Sequence, residues 1–332
     1  MKRAALALLL IVVALRAYSA KPVTVKQLEE TLSAEHGHSD RKVAHRLAEI
    51  ELSERLSSAR GARLAAELPG DRSRQAFMLL ADMSAFLDLP TDEVSATAAP
   101  DLEWQREIVA QAVDYAVRTM HKLPNLFATR ETIFFKDDPP GRRADLSLIP
   151  YQPMHAASRS SDTVLYRDSQ EVVDSGKQKR RKYDPEAESL ITRGVFGPLM
   201  AIALVDASHG SLTWNHWEQG VNGPLAIFHF AVPKAMSHYE VSFCCLDESS
   251  GKRVKFDKIS AYHGEIAIDV ADGSILQLTI VADLEKSDPI VKSNILVEYG
   301  PVEIGGRNYI CPLKSVSLWV HRRCTAMCAR PC

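Results

Sequence analysis

Residues 262–320 read YHGEIAIDVADGSILQLTIVADLEKSDPIVKSNILVEYGPVEIGGRNYICPLKSVSLWV, with apolar side chains returning at alternate positions and breaks at Asp272-Gly273 and Gly305-Gly306. A period of two sends successive side chains to opposite faces, and glycine-containing dipeptides reverse the chain, so this stretch predicts an antiparallel meander. A sheet that is apolar on one face must bury that face against another layer. What covers it is therefore the main clue to function, because no motif in the chain names a reaction.

The first twenty residues have the composition of a secretory signal. Lys2 and Arg3 precede an apolar stretch over residues 4–15, and Ala17-Tyr18-Ser19-Ala20 offers small-residue cleavage after Ser19 or Ala20. Arg16 and Tyr18 make an imperfect cleavage site, so an uncleaved anchor is the alternative. The apolar stretch is short for a bilayer span and no later segment is long and apolar enough, so no transmembrane span is expected after signal removal. The expectation is export to the periplasm or the extracellular space. Removing residues 1–20 takes the formal charge from −2 to about −5. A mildly acidic exported chain is not expected to bind nucleic acid.

Six cysteines in an exported chain favour disulfides. Cys244 and Cys245 are neighbours in the strand-like YEVSFCCLDE and face opposite sides, so only one of them easily reaches a given partner. Cys311 in NYICP is the candidate partner, pairing with Cys245 or, in the alternative, with Cys244. Such a bridge would close a loop of roughly 66 residues, worth ~4 kcal/mol by chain entropy. Buried free thiols are the competing reading.

Residues 22–90 read as a helical module. Thr24 and Gln27 form a capping box ahead of Leu28 and Leu32, with Gly37 as a stop. Ser39-Asp40 begins a longer helix carrying Val43, Leu47, Ile50, Leu52 and Leu56, and a third helix after Pro69-Gly70 carries Phe77, Leu80, Met83 and Leu87. Residues 91–100 form a polar linker. A fourth helix spans about 102–121 and passes into the strand-like LFATRETIFFKD, residues 137–160 read as loop, and short strands return at 163–167 and 171–174. Residues 197–205 read as a buried helix, followed by strands to residue 320 and a cysteine-containing tail at 321–332. The expected class is α+β: the helical module, then a curved antiparallel sheet over residues 101–320 packed on one or two helices.

Few residues suggest chemistry. Lys177, Lys179, Arg180, Arg181 and Lys182 make a basic loop suited to an anionic lipid surface, or simply a solvated loop. His36, His38 and His45 lie in and beside an inter-helix turn without metal-ligand spacing, and the tail spaces Cys324, Cys328 and Cys332 too widely for a zinc site, so no metal and no cofactor is expected. Asp206, Ser208 and His209 sit within four residues at a helix end and lack a nucleophile elbow, so no catalytic residue is assigned. Phe228 and Phe230 share one face of a strand, whereas alternation places Trp214 and Trp217 on opposite faces; such aromatics form either a core or an apolar lining.

YAVRTMHKLPNLFATRETIFF, residues 115–135, resembles the helix-to-first-strand entry of lipoprotein-carrier-like half-barrels, the family of outer-membrane lipoprotein-sorting factors. Residues 264–280 and 302–312 are similar to that family's glycine-led strand, Asp-containing turn and later proline-ended hairpin, and the layout resembles a group of uncharacterised bacterial exported proteins. The resemblance implies a half-barrel and a lipid or lipidated protein as partner; it carries over no binding residue. Together these readings favour a non-enzymatic exported protein holding an apolar ligand, lipid or lipidated partner in the curved sheet. The alternative is an envelope interaction or sensor protein with a solid core acting through its N-terminal helices, and a third is an unrecognised hydrolase.

Overall fold

The structure is a computed structural model that describes residues 21–120, 123–138, 141–142, 148–149, 152–167, 170–173, 198–220, 223–247 and 253–321. The chain divides into two compact units, Met1–Thr91 with Glu131–Ser160, and Asp92–Arg130 with Ser161–Cys332.

In the first unit, strand β1 (Lys21–Val23) leads into helix α1 (Val25–Ala34). The capping box forms as read: the Gln27 N–H donates to Thr24 Oγ1 at 3.2 Å and the Thr24 N–H to Gln27 Oε1 at 3.0 Å. Gly37, with φ 81°, turns the chain into α2 (Asp40–Ala48), with Ser39 at the N-cap position but its side chain making no capping bond. The expected longer helix stops there. Ile50–Leu52 is strand β2, which pairs in parallel with β1, Lys21 opposite Ile50 and Val23 opposite Leu52. Ile50 and Leu52 are both buried with Glu51 exposed between them, a two-residue period embedded in what the sequence offers as a helical stripe. Helix α3 (Ser58–Ala66) follows, its Arg60 N–H donating to Ser57 Oγ, and α4 (Asp71–Ser84) closes the group. Val25, Leu28, Val43, Leu47, Leu52, Leu64, Phe77 and Leu80 make its core.

One carboxylate joins two of these helices. Asp40, the first residue of α2, accepts hydrogen bonds from the Arg72 N–H at 3.2 Å and from the Ser73 N–H and hydroxyl at 2.8 and 2.7 Å. It thus supplies from another helix the N-terminal cap that Gly70 lacks a side chain to provide. The space is taken, since a Cβ on Gly70 would lie 2.7 Å from Asp40 Cγ. The Ser73 hydroxyl, then the backbone bonds, hold the Asp40 carboxyl below the usual carboxylate range.

Strands β3 (Leu126–Asp138), β6 (Gln152–Arg167) and β7 (Gln170–Val173) form a three-stranded sheet in the order β3-β6-β7, and β4 (Gly141–Arg142) pairs with β5 (Leu148–Ile149). The segment expected to be loop up to residue 160 is thus strand from Gln152 onward.

The second unit holds the main sheet. Its strands are β8 (Ser211–Gln219), β9 (Pro224–Val232), β12 (Ala261–Asp269), β13 (Ile275–Asp283), β14 (Ile290–Ile304) and β15 (Arg307–His321), in the order β15-β14-β13-β12-β9-β8 with every neighbour antiparallel. The β12–β15 meander turns where expected, through Gly273 (φ 76°) and Gly305-Gly306 (φ 60° and 77°), a backbone region that favours glycine. β8 and β15 are the two edges, so the sheet stays open rather than closing into a barrel. The protein is α+β.

One face of this sheet, the inner face, is covered by helix. Helix α5 (Leu102–Met120) contributes Ile108, Ala112 and Ala116, and α6 (Pro198–His209) contributes Leu199, Met200, Ala203 and Ala207. They pack with Phe228, Phe230, Val232, Tyr262, Ile266, Leu278, Ile280 and Val297 of the strands. Helix α6 is apolar almost throughout but not buried all round, for Val205 is 52% exposed. A separate ribbon, β10 (Glu240–Asp247) with β11 (Arg253–Ile259), adds Val241 and Phe256 to the same core and stacks Phe243 on Trp319 at 4.4 Å between ring centroids. Lys258 of the ribbon grips Asp288 at 2.8 and 3.0 Å and Glu285 at 2.9 Å in the β13–β14 connection. Those bonds raise the Lys258 pKa.

The two tryptophans of β8 depart from simple alternation. The register slips between Trp214 and His216, so Trp214 pairs with Phe228 and Trp217 with Ala226. One extra residue, Asn215, restores the phase and sends both indoles to the inner face, where they meet at 4.8 Å. Trp217 also packs on Trp104 at 5.5 Å and donates its Nε1–H to Ala98 O at 3.1 Å, fixing the segment before α5.

Candidate functional site

The densest polar constellation of the second unit surrounds Asp206 in the last turns of α6. Its side chain is fully buried, yet both oxygens are engaged. Oδ2 accepts the His238 backbone N–H at 2.8 Å and the Tyr262 hydroxyl at 2.9 Å, and Oδ1 lies 2.6 Å from His238 Nδ1. Three elements meet there: α6, the connection ahead of β10, and β12. Burial by itself would raise the Asp206 pKa, but the bonds from His238 and Tyr262 outweigh it and hold the carboxyl below its ordinary range. Burial and then the adjacent carboxylate push the Tyr262 hydroxyl up, which keeps it a donor. Tyr239, 5.3 Å from Tyr262 between ring centroids, is also raised by burial, against a bond from Ser293.

Chemically, a buried carboxylate on Nδ1 fixes the orientation of an imidazole whose side chain is 73% exposed. That is half of a proton-transfer device. The serine and histidine next to Asp206 do not complete it: the Ser208 hydroxyl donates to Val205 O at 2.6 Å and His209 Nδ1 lies 3.0 Å from the same carbonyl. They finish the helix end, where the Gly210 N–H returns to Asp206 O at 2.9 Å. Asp206, Ser208 and His209 read in the sequence as a helix end without a catalytic role, which points to neither His238 nor Tyr262. His238 lies 32 residues away and Tyr262 lies 56 away, and no local spacing announces either.

Other sequence candidates are dispersed. His38 Nδ1 lies 2.9 Å from Glu35, and His45 Nδ1 lies 3.5 Å from Glu49, beside a surface depression of about 510 Å3 lined by Glu35, Arg41, Lys42, Arg46 and Glu49. Cys311 is a buried free thiol, its pKa raised by burial, and stands opposite Gly300 in the β14–β15 pairing. The side chains of Cys244 and Cys245 lie outside the described residues, as do the residues 1–20, the basic residues Lys177, Lys179, Arg180, Arg181 and Lys182, and the tail from residue 322.

A second polar group occupies the sheet face opposite the helices. His229 and His263 lie 5.9 Å apart between ring centroids, His263 Nδ1 is 2.9 Å from Asp283 Oδ1, and Asn215 Nδ2 donates to Glu265 Oε1 at 2.7 Å. Among the described residues no three His, Cys, Asp or Glu side chains are placed to hold a metal ion, and no helix is long and apolar enough to cross a membrane. Compared with known proteins, the chain matches no family model, no curated protein and no solved structure.

Proposed function

We propose that this chain is an exported, non-enzymatic interaction protein of the cell envelope, in which a half-barrel sheet of the lipoprotein-carrier-like kind serves as a solid scaffold and the N-terminal helices meet a partner. The observation that carries this reading is the filling of the inner face. Phe230, Tyr262, Ile280 and Val297 are all 0% exposed, and α5, α6 and the β10–β11 ribbon occupy the side on which a carrier would keep its ligand. An apolar ligand site needs an open space of about 300 Å3 or more, whereas interdigitated aromatic and aliphatic side chains make a packed interior. On the N-terminal helices, the depression beside α2 mixes Arg41, Lys42 and Arg46 with Glu35 and Glu49, a charged surface suited to a polar protein contact.

The carrier reading keeps one observation on its side: the Tyr299 hydroxyl lies buried without a hydrogen-bond partner among the described residues, and a ligand head group would satisfy it. Mass spectrometry of solvent extracts from the purified full-length protein separates the two. The interaction reading expects no lipid near one mole per mole. A stoichiometric lipid, lost when Phe230 or Tyr299 is replaced, would overturn it in favour of the carrier.

A further inference from the structure

The outer face of the sheet places three metal-ligating side chains in a triangle. The β9–β12 register sets Glu265 directly opposite His229, and His263 stands two residues before Glu265 on the same strand. Tyr262, Gly264 and Ile266 alternate with them and are buried on the helix side, so His263 and Glu265 share the other face with His229. Two donors at i and i+2 with a third on the neighbouring strand have Cβ separations of about 5–8 Å. Imidazole and carboxylate arms from such positions reach a common ion at about 2.0–2.2 Å.

Several contacts prepare this triangle. The imidazoles of His229 and His263 already approach each other, tilted by 41°. Asp283 on the next strand lies 2.9 Å from His263 Nδ1, and a carboxylate accepting the Nδ1 proton leaves Nε2 as the ligating nitrogen, as carboxylates do for metal-bound histidines. Asn215 holds the Glu265 carboxylate, and the Glu265 N–H donates to Thr279 Oγ1 at 2.8 Å, which pins the strand at that residue. The place is open to solvent, with the His263 side chain 40% and the Asp283 side chain 48% exposed. The donors do not yet converge, and closure requires Glu265 to turn from Asn215 toward the histidines.

We propose that His229, His263 and Glu265 bind a divalent transition ion of the zinc class on this face, with water as the fourth ligand and Asp283 positioning His263. Two imidazoles and one carboxylate suit zinc or cobalt rather than calcium or magnesium, which take oxygen ligands. The test uses the full-length, chelator-treated protein titrated with Co(II), followed by visible absorption, and with Zn(II), followed by calorimetry. Saturation at one ion per chain with tetrahedral Co(II) bands is expected. H229A and H263A should each abolish it, and H229Q should do so with an unchanged circular dichroism spectrum. D283N should weaken binding about 10–100-fold while keeping the band shape, and H209A should change nothing. Absence of saturable binding overturns the proposal, as does saturation that survives H229Q and H263A, which would send the ion to other residues.

Discussion

Removing the Asp206 carboxylate strands two donors, the His238 N–H and the Tyr262 hydroxyl, while the exposed His238 ring can turn to water. Leaving buried polar groups unpaired costs more than the bonds themselves contribute. Asp206→Ala is therefore expected to destabilise the protein by about 2–4 kcal/mol, read from the shift in the urea midpoint; a loss under about 1 kcal/mol would show that water replaces the carboxylate. The pH dependence follows from the same site. A carboxyl whose folded pKa is lowered contributes its full stability above the ordinary aspartate value and loses it as pH falls through the lowered one. The acid limb of the stability curve should thus flatten in Asp206→Asn, while the neutral-pH difference between the two proteins stays constant. An unchanged acid limb would place the titration elsewhere.

At the scale of elements, β12 and β8 each depend on one residue of unusual demand. Gly264 faces the core where a Cβ would lie 1.9 Å from Thr279 O, a backbone atom that cannot yield. Gly264→Ala should cost about 1–3 kcal/mol, the range for overpacking a filled core, measured by thermal or urea unfolding; a neutral outcome would mean that the β12–β13 pairing shifts freely. In β8 the bulge absorbs a single extra residue, Asn215, between two indoles that share a face. Deleting Asn215 removes the bulge and leaves only His216 between Trp214 and Trp217, so strict alternation keeps both indoles on the inner face and preserves the Trp217 bond to Ala98. An unchanged tryptophan emission is expected, and a red-shifted, more quenchable spectrum would refute Asn215 as the extra residue.

These elements also show what a sequence can disclose. The meander was readable because its information is local: alternate apolar residues and glycine turns at Gly273 and Gly305-Gly306 each act within a few residues. The capping box at Thr24 and Gln27 was legible for the same reason. Strand β2 was not, because Ile50 and Leu52 continue the apolar stripe of α2 and only pairing with β1 makes them a strand. The Asn215 bulge has no composition of its own. Neither the Asp206–His238–Tyr262 group nor the His229–His263–Glu265 triangle could be read, since the first is assembled by helix α6 meeting β12 and the connection ahead of β10, and the second by the β9–β12 register, each across 30 residues or more.

For the molecule as a whole, the decisive property is how completely side chains fill the inner face of the main sheet. Phe230, fully buried and edge-on to Tyr262 at 5.9 Å between centroids, lies at its centre. Phe230→Ala should cost about 3–5 kcal/mol, as truncation in a close-packed core does, whereas a pre-existing cavity would soften the loss to well below that. Urea unfolding of the purified protein decides between them, independently of any lipid analysis. The Asp40 cap has a further consequence, for the order in which structure comes apart. Because a residue of α2 holds the amides of Arg72 and Ser73, the start of α4 cannot fray while α2 keeps its place. Opening of either helix end exposes those two amides to deuterium together, so two segments some thirty residues apart exchange as a single cooperative unit.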